Sequence, residues 1–206
     1  MISKIRKLNK DELYNWLKNE AGVNNGNHFG AYEGGIELQQ IPEEYVEYLT
    51  FLRNKKFNSY MNVGIGNCGS FMTEVYIQEG LKRAVAVDNT SYGQFTNMER
   101  INERFQWIRD NTELSLDFYN MDSIDYYKNN NEKFDIIFID GDHSYEGVKL
   151  DYENCLLILN DGGYIVLHDI NSIACPGVIR LWNEIKNENS LEFIKSNNCG
   201  IGIWKK

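Results

Sequence analysis

Apolar residues recur along this chain at two spacings, and the spacing switches repeatedly. Leu13, Trp16 and Leu17 share one helical face. Asn9 stands ready to cap that helix, Glu12 to complete a capping box, and Gly22 to end it. Tyr45, Leu49 and Leu52 form a second helical stripe behind Pro42, a residue that suits the first turn. A short apolar run reaches residues 60–63, and an amphipathic run leaves over 71–78. Residues 81–88 predict a strand. Met98, Ile101, Phe105 and Ile108 predict a helix over 97–108, and 114–119 alternate as a strand. Residues 123–127 open a short helix, and Asn129, Asn130 and Asn131 read as a solvated turn.

The run 134–140 is continuously apolar up to its final Asp140 apart from Asp135, which predicts a central parallel strand buried on both faces. Val148, Tyr152, Cys155 and Leu159 line one helical face, with Gly162 and Gly163 read as its end. A strand over 164–167 and a helix over 178–185 follow. Residues 191–194 and 201–204 are joined so closely that they must run antiparallel. The sum is an α/β chain: a Rossmann-like, doubly wound, mostly parallel sheet with an antiparallel C-terminal hairpin strand. Residues 1–40 are read as an N-terminal helix and loop, and 41–206 as the main domain. The glycine-rich loop 23–40 is either a lid over the site or a solvated connector, and His28, Tyr32, Glu33 and Gln40 could face a substrate.

In such sheets ligands gather at the carboxyl ends of the strands. Gly64, Gly66 and Gly69 stand at G-x-G-x-x-G spacing between a strand and a helix, so this turn can bring its backbone against a ligand. The cofactor candidates are Gly64, Ile65, Gly66, Gly69 and Ser70 in the turn, Asp88 and Asn89 after the second strand, and Asp122 and Ser123 after the third. Asp88 lies roughly 20 residues beyond the last glycine, where an acid can accept from both hydroxyls of a ribose. Asp122 could meet an adenine amino group. These residues imply an adenosine-type cofactor, for which NAD and S-adenosyl-L-methionine (SAM) both qualify.

Two more clusters close the next strands: Asp140-Gly141-Asp142-His143 and His168-Asp169. Adjacent strands lie about 4.8 Å apart, so Asp140, His168 and Asp169 could converge on one point. Carboxylates with few nitrogen ligands suit Mg²⁺, Mn²⁺ or a related divalent ion.

Composition changes this picture little. With 206 residues, 42% hydrophobic and 25% charged, the chain can bury a core. A net charge of -9 argues against a broad nucleic-acid-binding face. No apolar run is long enough for a bilayer, and the start lacks a signal-peptide segment, so no membrane partner and a cytoplasmic location are expected. Cys68, Cys155, Cys175 and Cys199 form no C-x-x-C pair. They read as buried thiols of a reducing compartment, and no zinc site is expected.

Residues 62–70, Asp88, Asp122, the run 138–145 and the stretch from Gly162-Gly163 to His168-Asp169 together resemble the class I SAM-dependent methyltransferases. More narrowly, they resemble the small-molecule O-methyltransferases that include cephalosporin-hydroxylase-like and macrocin-type enzymes, with catechol-type enzymes more distant. The resemblance covers residues 40–206. It implies a seven-stranded sheet, SAM over the glycine turn with Asn62 and Asp140 contributing, often a divalent cation on Asp140, His168 and Asp169, and a small hydroxylated substrate. It places His143 where catechol-type enzymes have a catalytic lysine, so His143 and Asp140 are the catalytic candidates. In that reading the cation lowers the pKa of a coordinated hydroxyl and His143 removes its proton. Two positions depart from the pattern: Asn62 stands where an acid usually precedes the first glycine, and His168 where relatives commonly carry an acid. The alternatives are an NAD(P)-dependent oxidoreductase, for which too little chain remains to build the usual second domain, and a catalytically inactive SAM-binding relative. A homo-oligomer is left open.

Overall fold

The run at 134–140 does take the centre of the sheet. In the computed structural model of the chain, which describes residues 2–21, 36, 38–91, 93 and 96–206, strand β4 (Phe134–Ile139) pairs in parallel with β1 (Ser59–Val63) on one side and β5 (Leu159–His168) on the other. Outside β1 lie β2 (Arg83–Asp88) and β3 (Ser115–Asn120), both parallel. Outside β5 lie β7 (Ile201–Lys205) and β6 (Leu191–Phe193), both paired antiparallel. The seven-stranded order is β3-β2-β1-β4-β5-β7-β6. Order reverses between β1 and β4, which opens a crevice at that point.

Seven α-helices, preceded by a 3-10 helix over Ile2–Lys7, flank the sheet among the described residues: α1 (Lys10–Asn19), α2 (Pro42–Asn54), α3 (Gly69–Ile77), α4 (Met98–Asn111), α5 (Ser123–Asn129), α6 (Tyr145–Ile158) and α7 (Pro176–Ile185). The alternation along β1 sorts its side chains. Tyr60 joins a core with α1 to α4, whereas Met61 and Val63 join a second core with α5 to α7. Phe138 and Ile137 divide likewise along β4. Each large apolar side chain so buried contributes about 1.5–3 kcal/mol. The capping box at Asn9 and Glu12 forms, and Leu13, Trp16 and Leu17 of α1 are buried in the first core. Most of the loop expected to form a lid or connector, with His28, Tyr32 and Glu33, lies outside the described residues.

One boundary differs from the sequence pattern. Leu159 continues the helical stripe, yet α6 ends at Ile158 and Leu159 already belongs to β5. Leu159 is fully buried opposite Phe134, and that burial overrides the helical spacing. Gly162 and Gly163 do not end a helix. They lie inside β5, where the register against β4 shifts, and Gly162 takes a φ of +74°.

Among the described residues no helix is long and apolar enough to cross a membrane.

Candidate active site

The carboxyl ends of β2, β1, β4 and β5 share one edge. Val63 is in register with Val87 and with Ile139, and Ile139 with Leu167, so the strand tips are level. Asp88, the glycine turn, Asp140 and His168-Asp169 therefore open on the same side.

The glycine turn and Asp88 form one unit. The Asp88 carboxylate accepts from the backbone N–H of Ile65 (2.8 Å) and Gly66 (3.1 Å) through Oδ2, and from Thr90 N–H (2.6 Å) through Oδ1. The anion bound by the turn is thus the protein's own. Gly64 has a φ of +83°, and a Cβ there would sit 2.2 Å from the carbonyl oxygen of Asp140. Only glycine allows these two loops to touch. Beside this unit, Asn89 Nδ2 donates to Asp122 Oδ1 (2.7 Å). Ser123 turns away toward Asp151, at 2.6 Å, and Ser70 Oγ accepts from Gln40 Nε2 at 3.3 Å.

Asn62 lies beneath the turn and is buried. Its Nδ2 stands 3.3 Å from Glu74 Oε2 and 3.4 Å from the Tyr60 hydroxyl. An acid does therefore stand next to position 62, delivered by α3. Glu74 is fully buried and also accepts from Tyr45 (3.2 Å) and from Tyr60. Burial pushes its carboxyl up to about 7 against the pull of those hydroxyls. The signal for Glu74 was present in the sequence: a lone acid among Phe71, Met72, Val75 and Ile77.

Asp140, His143, His168 and Asp169 do converge. His168 Nδ1 lies 3.3 Å from Asp140 Oδ1 and 3.4 Å from Asp169 Oδ1. His143 Nε2 lies 3.2 Å from Asp140 Oδ1 and 3.7 Å from Asp169 Oδ2. Burial alone would raise the Asp140 carboxyl, but the His168 charge and the His143 bond outweigh it and hold it well below the usual range. Burial opposes a charge on His168, yet Asp140 and Asp169 overcome this and raise its pKa well above the ordinary value. The Asp140 bond, then the Cys175 contact, lift His143 to about 11. Each histidine is thus held toward its charged form by the carboxylates beside it.

Among the described residues, the donor sets whose ligand atoms all lie within 4.8 Å of one another are His143, Asp169 and Cys175, and His168, Asp169 and Cys199; Asp140 belongs to neither. The ion-pair distances from His168 Nδ1 are short, but among the described residues this buried atom has no aligned hydrogen-bond partner. His168 Nδ1 thus stands between Asp140 Oδ1 and Asp169 Oδ1 as an ion pair.

Two further residues join this cluster: Gln40, which the sequence offers only as a loop residue that could face a substrate, and Cys175, which it offers only as a buried thiol. Gln40 is buried rather than part of an exposed loop, and its Oε1 lies 3.1 Å from His168 Nε2. Cys175, at the N-terminus of α7, places Sγ 3.2 Å from His143 Nδ1 and donates to Asp169 Oδ2 at 3.3 Å. Gly177 brings α7 this close, since a Cβ there would lie 2.5 Å from the His143 carbonyl oxygen. Asp169 itself holds a left-handed φ of +63°, an uncommon conformation for a non-glycine residue that recurs at working sites.

A parallel sheet of this order with an antiparallel seventh strand, and polar strand tips on one edge, defines a Rossmann-like fold. The chain belongs to the methyltransferase domain family, whose model matches residues 62–170, just over half of the chain. No curated protein matches it. An O-methyltransferase from Bacillus cereus, solved with S-adenosylhomocysteine (SAH), has a TM-score of 0.59 at 14% identity over 97% of this chain and 93% of that one. The O-methyltransferase TomG from Streptomyces achromogenes, solved with SAM, has a TM-score of 0.58 at 12% identity over 80% and 79%. The N-methyltransferase NodS from Bradyrhizobium japonicum, solved with SAH, has a TM-score of 0.55 at 15% identity over 79% and 87%. At these identities the likeness is one of fold.

Proposed function

We propose that this methyltransferase moves the methyl group of SAM to a hydroxyl oxygen of a small molecule. The observation that carries the choice of cofactor is the Asp88 carboxylate seated on the Ile65 and Gly66 amides. A turn that already holds an anion repels the pyrophosphate of a dinucleotide. It suits a nucleoside joined to a sulfonium. A carboxylate has about four acceptor sites, so Asp88 keeps capacity for ribose hydroxyls. The oxygen acceptor is supported by the acid–histidine cluster beside the turn, and by the description of two of the similar structures as O-methyltransferases.

The sulfonium needs no activation, so placement of the two reactants supplies much of the rate. What remains is to remove a proton from the acceptor. Asp140 and His143 form the solvent-facing pair of the cluster, with side chains 24% and 39% exposed, and the acceptor hydroxyl approaches them. Asp140 orients that hydroxyl through a hydrogen bond. His143 takes the acceptor's proton in its neutral form, reached once its own proton has passed to solvent through the exposed part of its side chain; transfer then leaves SAH, the methylated oxygen and an imidazolium.

The test is transfer of isotopically labelled methyl from SAM to a panel of phenols, sugars and amines. Label on an alcohol, lost in Asp140→Ala with SAM affinity changed less than threefold, is the expected result. Label only on amines, binding without turnover on any acceptor, or preference for NADH over SAM overturns the reading.

A further inference from the structure

Asp169 has a second oxygen, and the groups around it differ in kind from those around the first. Oδ1 faces His168, whereas Oδ2 faces a thiol and an imidazole. We infer that His143, Asp169 and Cys175 form a binding site for Zn²⁺ or a similarly borderline-soft divalent ion. One ligand atom from each of the three lies within 4.8 Å of the other two. The closest approaches are 3.2 Å between Cys175 Sγ and His143 Nδ1, and 3.3 Å between Cys175 Sγ and Asp169 Oδ2. Around a tetrahedral zinc, with bonds of about 2.0–2.3 Å, neighbouring ligand atoms stand about 3.3–3.6 Å apart. The three side chains need only a small outward shift to admit the ion.

The surroundings match such a site. His143 turns Nδ1 to the thiol and Nε2 to Asp140 Oδ1 at 3.2 Å. A carboxylate on the far nitrogen of a metal-bound histidine fixes its tautomer and strengthens it as a ligand. His168, buried and, among the described residues, without an aligned partner at Nδ1, takes the same outer position toward Asp169 Oδ1. Three protein ligands leave a fourth position, and the 39% exposure of the His143 side chain opens it to solvent. That is the make-up of a site that keeps a place for a water or a substrate oxygen. A thiolate selects against Mg²⁺, which prefers oxygen. The three ligands come from two stretches of chain, His143 after β4 and Asp169 with Cys175 between β5 and α7, so no C-x-x-C spacing marks them, and the absence of that motif does not exclude zinc.

The test requires neither SAM nor an acceptor, so it stands apart from the choice of reaction. The full chain is stripped of metal and titrated with Co²⁺, then with Zn²⁺ against a chromophoric chelator. Expected are a thiolate-to-cobalt charge-transfer band in the near ultraviolet and displacement of cobalt by zinc. Cys175→Ser removes the band and weakens Zn²⁺ binding at least tenfold. His143→Gln, at a half-exposed position, weakens it likewise in a chain whose folding is checked by circular dichroism. Cys199→Ser keeps the band, because Cys199 belongs to the alternative set with His168 and Asp169. No cobalt binding, a band that survives Cys175→Ser, or a band lost in Cys199→Ser overturns the assignment.

Discussion

Gln40 Oε1 lies 3.1 Å from Nε2 of His168, a residue 128 positions later in the chain. The other end of the same amide donates to Ser70 Oγ in the first turn of α3. One buried side chain thus joins the acid–histidine cluster to the helix that follows the glycine turn. Gln40→Ala leaves His168 Nε2 without its acceptor in a buried setting. It should cost about 1–3 kcal/mol in denaturant unfolding. Turnover should fall about tenfold or more, as when an outer partner of a site histidine is lost, with SAM affinity nearly unchanged.

Asp88→Asn tests the glycine turn. Asparagine keeps the shape but loses the charge that three backbone N–H groups share. SAM affinity should weaken about tenfold or more, from the loss of charge-assisted bonds worth about 1.5–3 kcal/mol. Isothermal titration measures it, and unchanged affinity would separate the turn from cofactor binding.

Glu74 gives a pH signature. Its pKa is raised in the fold to about 7, from an ordinary value of 4.5. Between those values the folded protein binds more protons than the unfolded chain, so stability falls as pH rises. The favourable contribution is complete below pH 4.5 and is lost as pH climbs through about 7. The span amounts to about 3 kcal/mol. Glu74→Gln mimics the neutral form and should flatten this part of the stability–pH curve. Parallel curves for the two proteins from pH 4.5 to 7.5 would show that Glu74 does not carry the effect.

Glu44 gives a structural control. It is buried on α2 and accepts from the N–H groups of Lys195 (2.6 Å), Ser196 (3.0 Å) and Gly200 (2.9 Å) in the turn between β6 and β7. Glu44→Ala leaves those donors unmatched and should cost about 3 kcal/mol or more. The loss should appear in thermal unfolding, with SAM affinity at low temperature little altered.

The sheet was legible because each strand carries its own short-range signature. The apolar run at 134–140 needs no knowledge of its neighbours to read as central, and the hairpin at 191–204 closes too tightly to be parallel. Asp88, Asp140, His168 and Asp169 were legible for a related reason: they end strands, and strand ends share an edge. Glu74 and Cys175 were not placed, and Gln40 was read as substrate-facing rather than as a buried partner of His168. Each acquires its meaning from a partner on another element, Gln40 from His168, Glu74 from Tyr45 and Tyr60, Cys175 from His143. Leu159 failed for the opposite reason, because the pattern assigned it locally and the sheet core claimed it.

The bare contact of Gly64 with the Asp140 carbonyl fixes a spacing that no rotamer can alter. If the methyl donor rests on one loop and the acceptor on the other, main chain alone sets their gap. Substitutions around the rim could then retune which alcohol is accepted while the gauge between the reacting atoms stays constant. Replacing that one glycine would do the reverse, sparing the rim and spoiling the fit of every acceptor alike.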